Sequence, residues 1–232
     1  MAVKAVVFDL DGTIASFNID YKAIRADVRD LLLRLGVPAS VLSPNESIFE
    51  MLKKTEVFMK NNGKPEKKMD EIRQKALAIA DKYELDAAKT TTLLPGALET
   101  LKDLRKMDLK IGLCTINSKK STEYILKQFG IAKFFDALTP RDAIKYVKPN
   151  PEHLETALHA LDVNAQEVVV VGDGVSDMKS ARELKAVAVA LPTGVSSPKE
   201  LVTAGANYLI TSLTDLPSLI ERLNKTKEEK GS

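Results

Sequence analysis

The chain has no tryptophan, two histidines and a single cysteine in 232 residues. The lone Cys114 rules out an intramolecular disulfide, and its place inside an apolar run marks it as a core residue rather than a nucleophile. His153 and His159 have no third His or Cys beside them, which argues against a zinc site; both read as helix-surface or partly packed residues. No apolar run is long enough to span a bilayer. Met1-Ala2-Val3-Lys4 passes straight into an acid-ended strand and does not read as a signal peptide. Neither charge sign is in excess: 34 Lys and Arg face 32 Asp and Glu, for a net charge of +2. That balance gives no electrostatic footprint for nucleic acid. The stretch from Lys225 to Lys230 also holds Glu228 and Glu229, so it reads as a solvated helix end. The expectation is a soluble, cytoplasmic protein without nucleic-acid or membrane partners. Monomer and homodimer both stay open.

What is present is a sufficient core. Hydrophobic residues make up 44% of the chain, an ordinary share for a globular protein. The length suits one large domain, or a core with a smaller insertion. Val3 to Phe8 is an apolar, β-branched run that meets Asp9-Leu10-Asp11-Gly12-Thr13. It predicts a buried strand ending in two acids. Strand alternation puts Asp9 and Asp11 on one side, with Leu10 opposite. Buried carboxylates are costly unless paired or bound to a cation, so this strand end reads as the floor of a site.

After Thr13 the pattern turns helical. Asp20 is placed to cap a helix carrying Ile24, Val28, Leu31, Leu32 and Leu35, and Gly36 and Pro38 stop it. Ser43-Pro44-Asn45-Glu46 reads as a capping box for a second helix with Met51, Leu52, Phe58 and Met59. A third carries Met69, Ile72, Ala76, Ala80 and Tyr83. From Leu94 helices and strands alternate. Helices are predicted from Pro95 to Met107, 119–129, 151–161, 176–184, 198–204 and 213–223. Strands are predicted over 109–115, 134–138, 168–171, 187–190 and 208–210. Alternation of this kind implies a parallel sheet covered on both faces. The fold class is therefore α/β: a Rossmann-like, three-layer α/β/α core from residues 1–15 and 89–232, with an all-helical insertion over 16–88.

Polar clusters follow the predicted strands or precede a helix. They are Asp9 with Asp11; Thr115 with Asn117 and Ser118; Lys148 before Pro149-Asn150-Pro151; and Gly172-Asp173-Gly174-Val175-Ser176-Asp177. In a parallel sheet the strand-end clusters converge on its carboxyl edge. Three or four carboxylates in one crevice suggest a divalent cation, and oxygen-only ligands suit Mg²⁺. A lysine and a hydroxyl beside them suit a phosphoryl group. Backbone N–H groups after Thr115 and around Gly12 are candidate oxyanion donors. Asp173 and Asp177 have an alternative use as caps of the following helix. Arg141 and Lys145 are candidate contacts to an anionic substrate whose default is a solvated loop. Lys22, Arg25, Lys53, Lys54 and Lys60 are candidate anion contacts whose default is helix surface.

These four ordered clusters resemble the motifs of the haloacid dehalogenase superfamily, and within it the phosphoglycolate phosphatase-like hydrolases. The insertion after the first motif resembles that family's C1 cap. The resemblance implies a Mg²⁺-dependent phosphatase acting on a small phosphorylated metabolite. Asp9 would attack phosphorus and carry an aspartyl phosphate. Asp11 would protonate the leaving oxygen and then activate water. Thr115 and Lys148 would hold phosphoryl oxygens. Many relatives place Asn directly after the second-motif hydroxyl; here Ile116 intervenes, and Asn117 is a phosphate-binding candidate one position further on. Mg²⁺ would meet Asp9, the backbone carbonyl of Asp11, and Asp173, with Asp177 either a ligand through water or a partner of Lys148. A phosphomutase uses the same scaffold. A phospho-acceptor signalling module also uses Asp, Thr and Lys, but carries its phosphorylated Asp on a later strand and lacks a helical insertion.

Overall fold

A computed structural model of the chain describes residues 2–16 and 18–229, with side chains as far as Lys225. The chain divides into two compact units, one of Met1–Phe17 with Thr90–Ser232 and one of Asn18–Lys89.

The larger unit is built on one parallel sheet. Its strands are β1 (Ala5–Phe8), β2 (Lys110–Cys114), β3 (Ala137–Thr139), β4 (Val168–Gly172), β5 (Val187–Ala190) and β6 (Tyr208–Leu209). Their order is β3-β2-β1-β4-β5-β6, and every pairing is parallel. From β1 the chain places β2 on one side and β4 on the other, so the order reverses at β1. In such sheets ligands bind in the crevice at the carboxyl ends beside this reversal. The register is level there: Phe8 lies opposite both Leu113 and Val171.

The central strands are buried on both faces, which is why they read as unbroken apolar runs. Ala5, Val7, Val168 and Val170 pack with Leu154 and Leu158 of α6 (Pro151–Leu161) and Met178 and Ala181 of α7 (Val175–Glu183). The alternate residues Val6, Phe8, Val169 and Val171 are fully buried as well. The remaining helices of this unit are α4 (Ala97–Lys106), α5 (Lys119–Gln128), α8 (Pro198–Ala204) and α9 (Leu216–Glu229). The expected helix over 213–223 is a short 3-10 turn, Leu213–Asp215, followed by α9. The reading of 225–230 falls largely outside the described side chains. The third strand starts later than expected. Ala132–Phe134 form a 3-10 turn, and the Asp136 carboxylate is taken by the Ile111 N–H at 2.8 Å and Arg105 at 2.6 Å.

The outgoing and returning chain are stitched together within this unit. Leu94 N–H donates to Ile14 O at 2.9 Å and Ser16 N–H to Thr92 O at 2.8 Å.

The smaller unit holds α1 (Tyr21–Arg34), α2 (Ile48–Asn61) and α3 (Glu66–Ala88). Asp20 caps α1 through Ala23 N–H at 2.9 Å. Ile24, Val28, Leu32, Met51, Leu52, Ile72 and Ala76 form its core. The Ser43–Glu46 box does not start α2. The Ser43 N–H donates to Glu46 Oε1 at 2.9 Å and closes a turn; Ser47 is the cap, accepting from Glu50 N–H at 3.2 Å. The helix begins where the buried stripe Ile48, Met51, Leu52, Thr55 begins. Among the described residues no helix is long and apolar enough to cross a membrane.

Candidate active site

Three strand ends and one loop build the site. Asp9 follows β1, Thr115 follows β2, and Asp173 follows Gly172 at the end of β4. The level register sets them side by side. Lys148 comes from the loop before α6, whose first turn is fixed by Pro151 and by the Asn150 side chain accepting from Glu152 N–H at 2.9 Å.

The Lys148 ammonium is buried and uses all three donors. It meets Asp9 Oδ1 at 2.7 Å, Asp177 Oδ1 at 2.6 Å and the Cys114 carbonyl at 2.6 Å. Burial opposes its charge, but Asp177 and Asp9 outweigh that and hold its pKa well above the usual lysine value. Asp177 is also tied by its other oxygen, which accepts the Gly174 N–H at 3.1 Å. Gly174, not Asp173, is the N-cap of α7.

One lysine faces three acids. Carboxylate oxygens of Asp9, Asp173 and Asp177 lie within 4.8 Å of one another. Burial pushes the Asp9 carboxyl up to about 6, with Asp177 adding to the rise and Lys148 opposing it. Burial likewise pushes Asp173 up to about 8, helped by Asp9 and Asp177. The surplus negative charge fits a hard divalent cation bound through oxygen.

The backbone leaves room for it. Gly12 has φ +76°, and a Cβ there would stand 2.7 Å from the Asp173 carboxylate. A Cβ on Gly194 would overlap Asp173 Oδ2 outright. Side chains at either position would drive Asp173 out of the cluster.

Asp11 is placed by the turn that follows β1. β1 ends at Phe8, and the N–H groups of Thr13, Ile14 and Ala15 all turn back to the Leu10 carbonyl. The turn, rather than strand alternation, places the second acid. Asp11 Oδ2 accepts from the Asn117 side-chain amide. Asn117 N–H donates to Thr115 Oγ1 at 3.2 Å. Three of the N–H groups expected as oxyanion donors are therefore committed: Asn117 to Thr115, Gly12 to Ala15 O at 2.7 Å and Thr13 to Leu10 O at 3.2 Å. The Thr115 hydroxyl accepts the Asn117 N–H, and a hydroxyl that accepts still has its own hydrogen to donate.

The first part of the chain, residues 6–191, matches the haloacid dehalogenase-like hydrolase family. The chain belongs to the haloacid dehalogenase-like hydrolases. The pyrophosphatase PpaX of Bacillus mycoides is 30% identical over 126 residues, 54% of this chain and 59% of that protein. The chain thus spans under two thirds of that relative's length. The N-acetylmuramic acid 6-phosphate phosphatase of Pseudomonas putida is 28% identical over 95% of this chain and 97% of its own. In fold, the chain is similar to a hydrolase from Pseudomonas syringae, with a TM-score of 0.65, 23% identity and coverage of 94% and 98%.

Within this haloacid dehalogenase-like core some site residues escaped the sequence reading. His153 was expected at a helix surface or partly packed, and it is fully buried. Its Nδ1 accepts the Lys148 N–H at 3.2 Å, and its Nε2–H donates to the Thr139 carbonyl at 3.0 Å. Burial and the Lys148 charge lower its pKa to about 4, so the ring is neutral. Arg141 was expected in a solvated loop and is 4% exposed. Its guanidinium donates to the Ile116 carbonyl at 3.0 Å. Thr193 and Gly194 carry no charge and drew no notice. The Thr193 hydroxyl donates to the Gly12 carbonyl, and Thr13 Oγ1 reaches Asp173 Oδ1 at 3.4 Å. Their one available signal was position: a Thr-Gly just past a strand of a parallel sheet, on the edge that carries the acids.

Proposed function

We propose that the protein is a divalent-metal-dependent phosphatase that cleaves the monoester of a small phosphorylated metabolite through a phosphorylated Asp9. The observation that carries this reading is the buried Lys148 ammonium, 2.7 Å from Asp9 and 2.6 Å from Asp177, set against a surplus of carboxylate. The names of the two curated relatives, a pyrophosphatase and a sugar phosphatase, support phosphoryl hydrolysis as the chemistry.

In this reading Lys148 keeps Asp9 ionised although burial opposes it, leaving an oxygen of Asp9 to attack phosphorus. The bond to the leaving oxygen breaks, and Asp11 gives that oxygen a proton, without which an alkoxide leaves poorly. Asp11, now a carboxylate, takes a proton from water; the water oxygen attacks phosphorus and the Asp9–phosphorus link breaks. Thr115 donates to a phosphoryl oxygen; Lys148, whose three donors go to Asp9, Asp177 and the Cys114 carbonyl, supplies positive charge beside the phosphoryl group. Mg²⁺, held by Asp9, Asp173 and the Asp11 backbone carbonyl, would offset the charge on the transferring group. Asp177 keeps its place beside Lys148 and Gly174. The helical unit Asn18–Lys89 is assigned the role of a C1 cap, the part that distinguishes one leaving group from another.

The test is phosphate release from a panel of phosphorylated metabolites and pyrophosphate, with and without Mg²⁺, for wild type and Asp173→Asn. The reading expects metal-dependent release that the substitution removes. No release from any member would overturn it, and transfer to a sugar phosphate instead of water would turn it into a mutase.

A further inference from the structure

Arg141 is neither solvated nor open to an anionic substrate: it is 4% exposed. Its guanidinium donates to the Ile116 carbonyl at 3.0 Å. That carbonyl belongs to the peptide joining Ile116 to Asn117, and the N–H of the same peptide donates to Thr115 Oγ1 at 3.2 Å. This peptide is trans, so its C=O and N–H lie in one plane and point opposite ways. One flat group is gripped at its oxygen by Arg141 and holds Thr115 by its hydrogen. The main chain adds a second fastening, with the Arg141 N–H donating to the Asn117 carbonyl at 3.0 Å. The next residue, Asp142, accepts the Lys119 N–H. Thr115 is held from its own side too, its N–H donating to Thr139 O at the end of β3 at 3.1 Å.

We propose that Arg141 is a positioning residue for the Thr115 hydroxyl: acting through the Ile116–Asn117 peptide, it aims that hydroxyl as a donor to the phosphoryl group. The inference rests on the assignment of Thr115 as a phosphoryl contact. A hydroxyl has one hydrogen and two lone pairs. The Asn117 N–H occupies a lone pair, and the hydrogen has no acceptor among the described residues although Thr115 is 1% exposed. A cation on the peptide oxygen strengthens the N–H at the other end, because hydrogen bonds in series polarise one another where the dielectric is low. The firmer that N–H holds the oxygen, the more narrowly the O–H is directed.

A residue that only braced the loop would matter whether or not Thr115 kept its hydroxyl. A residue that acts through the hydroxyl has nothing to add once it is gone. The test is therefore a double-mutant cycle of Arg141→Met with Thr115→Val, which keeps the shape of threonine and removes the O–H. The probe is inorganic phosphate, its dissociation constant taken from the phosphate-dependent rise in melting temperature at saturating Mg²⁺. Mg²⁺ affinity is measured beside it, and phosphate release from nitrophenyl phosphate by the wild type.

Thr115→Val is expected to weaken phosphate binding by about tenfold or more, the scale of a hydrogen bond to a charged group. Arg141→Met is expected to weaken it by about threefold or more, and the double variant to bind within about twofold of Thr115→Val, with Mg²⁺ affinity unchanged in all three. Losses that multiply in the double variant, or wild-type phosphate binding by Arg141→Met, would overturn the inference and leave Thr115 at the phosphate. Wild-type phosphate binding by Thr115→Val would remove the Thr115 contact and the inference with it, while phosphate release by the wild type would still support the phosphatase reading. Should Arg141→Met fail to fold, Arg141→Lys, which keeps the charge and loses the planar fork, enters the same cycle: a loss that disappears beside Thr115→Val supports the inference, and no loss or a multiplying one overturns it.

Discussion

Lys148 Nζ sits 2.7 Å from Asp9 Oδ1, a buried cation on a buried acid. The same ammonium spans to Asp177 at 2.6 Å, so a single charge secures residues that follow β1 and β4. Removing one partner of such a pair strands the rest in a low-dielectric pocket. Lys148→Met is expected to lower the stability of the metal-free protein by about 3–5 kcal/mol, to abolish turnover, and to become more dependent on Mg²⁺ for its melting temperature. Thermal melts with and without Mg²⁺ check this. A variant that melts like wild type without metal would show that the lysine offsets nothing.

Gly194→Ala tests the space around Asp173. The new methyl would overlap the Asp173 carboxylate, so Asp173 has to turn away. Metal affinity is expected to fall about 10–100-fold, the scale seen when groups supporting metal ligands are lost, with little change in the metal-free melting temperature. Titration of activity and of thermal stabilisation against Mg²⁺ measures it. Unchanged affinity would remove Asp173 from the metal site.

The strand-end acids were legible because an apolar run that ends in Asp9-Leu10-Asp11 has few structural uses. Lys148 before Pro-Asn-Pro, and Asp173 between two glycines, were legible for the same reason: charge at a place where the chain should be burying apolar surface. The residues that hold them were not. His153 lies on the apolar face of α6, where a buried imidazole with two backbone partners cannot be told from a helix-surface one by spacing. Arg141 lies in a loop whose composition reads as solvated, and its burial depends on the Ile116 carbonyl, 25 positions away. Asn117 was seen, but its partner was not, because the pair is 106 residues apart in sequence. At Ser43 the box pattern was real and its reciprocal bond formed, yet the buried stripe set the helix start four residues later, at Ser47.

The two raised carboxyls make metal-free stability depend on pH. Asp173 has its pKa raised from 3.8 to about 8. Between those values the folded protein binds a proton that the unfolded chain has released, so stability falls as pH rises. Asp9, raised to about 6, acts the same way over a shorter range. His153, lowered from 6.5 to about 4, acts in the opposite sense, since there the unfolded chain binds the extra proton. Between about pH 4 and 6 the two carboxyls outweigh the histidine and stability still falls, between about 6 and 6.5 Asp173 and His153 cancel, and Asp173 acts alone from there to about 8. In that window the metal-free protein is expected to lose at most about 1.4 kcal/mol per pH unit. The slope should vanish in Asp173→Asn and under saturating Mg²⁺. Denaturant melts at several pH values measure it, and stability that rises from pH 6.5 to 8 would contradict the assignment.

His153→Phe keeps the volume of the ring and removes both hydrogen bonds. The Lys148 N–H then has no acceptor at that point, and the lysine main chain is free to shift. The expected result is a loss of about 1–3 kcal/mol in stability, together with a fall in kcat/KM. Leu154→Ala, one residue along α6, supplies the comparison: it should lower the melting temperature by a similar amount and leave kcat/KM of the folded enzyme near wild type. Equal kcat/KM in the two variants would reduce His153 to a packing residue.

The most direct test of the central claim is the rate of phosphate release by Asp9→Asn, with Mg²⁺ saturating and nitrophenyl phosphate or acetyl phosphate as substrate. Asparagine keeps the shape beside Lys148 and removes the attacking oxygen. The account predicts a loss of about three orders of magnitude or more in kcat, with the fold retained. Release at a rate comparable to wild type would contradict it, because phosphorus would then be reached without Asp9.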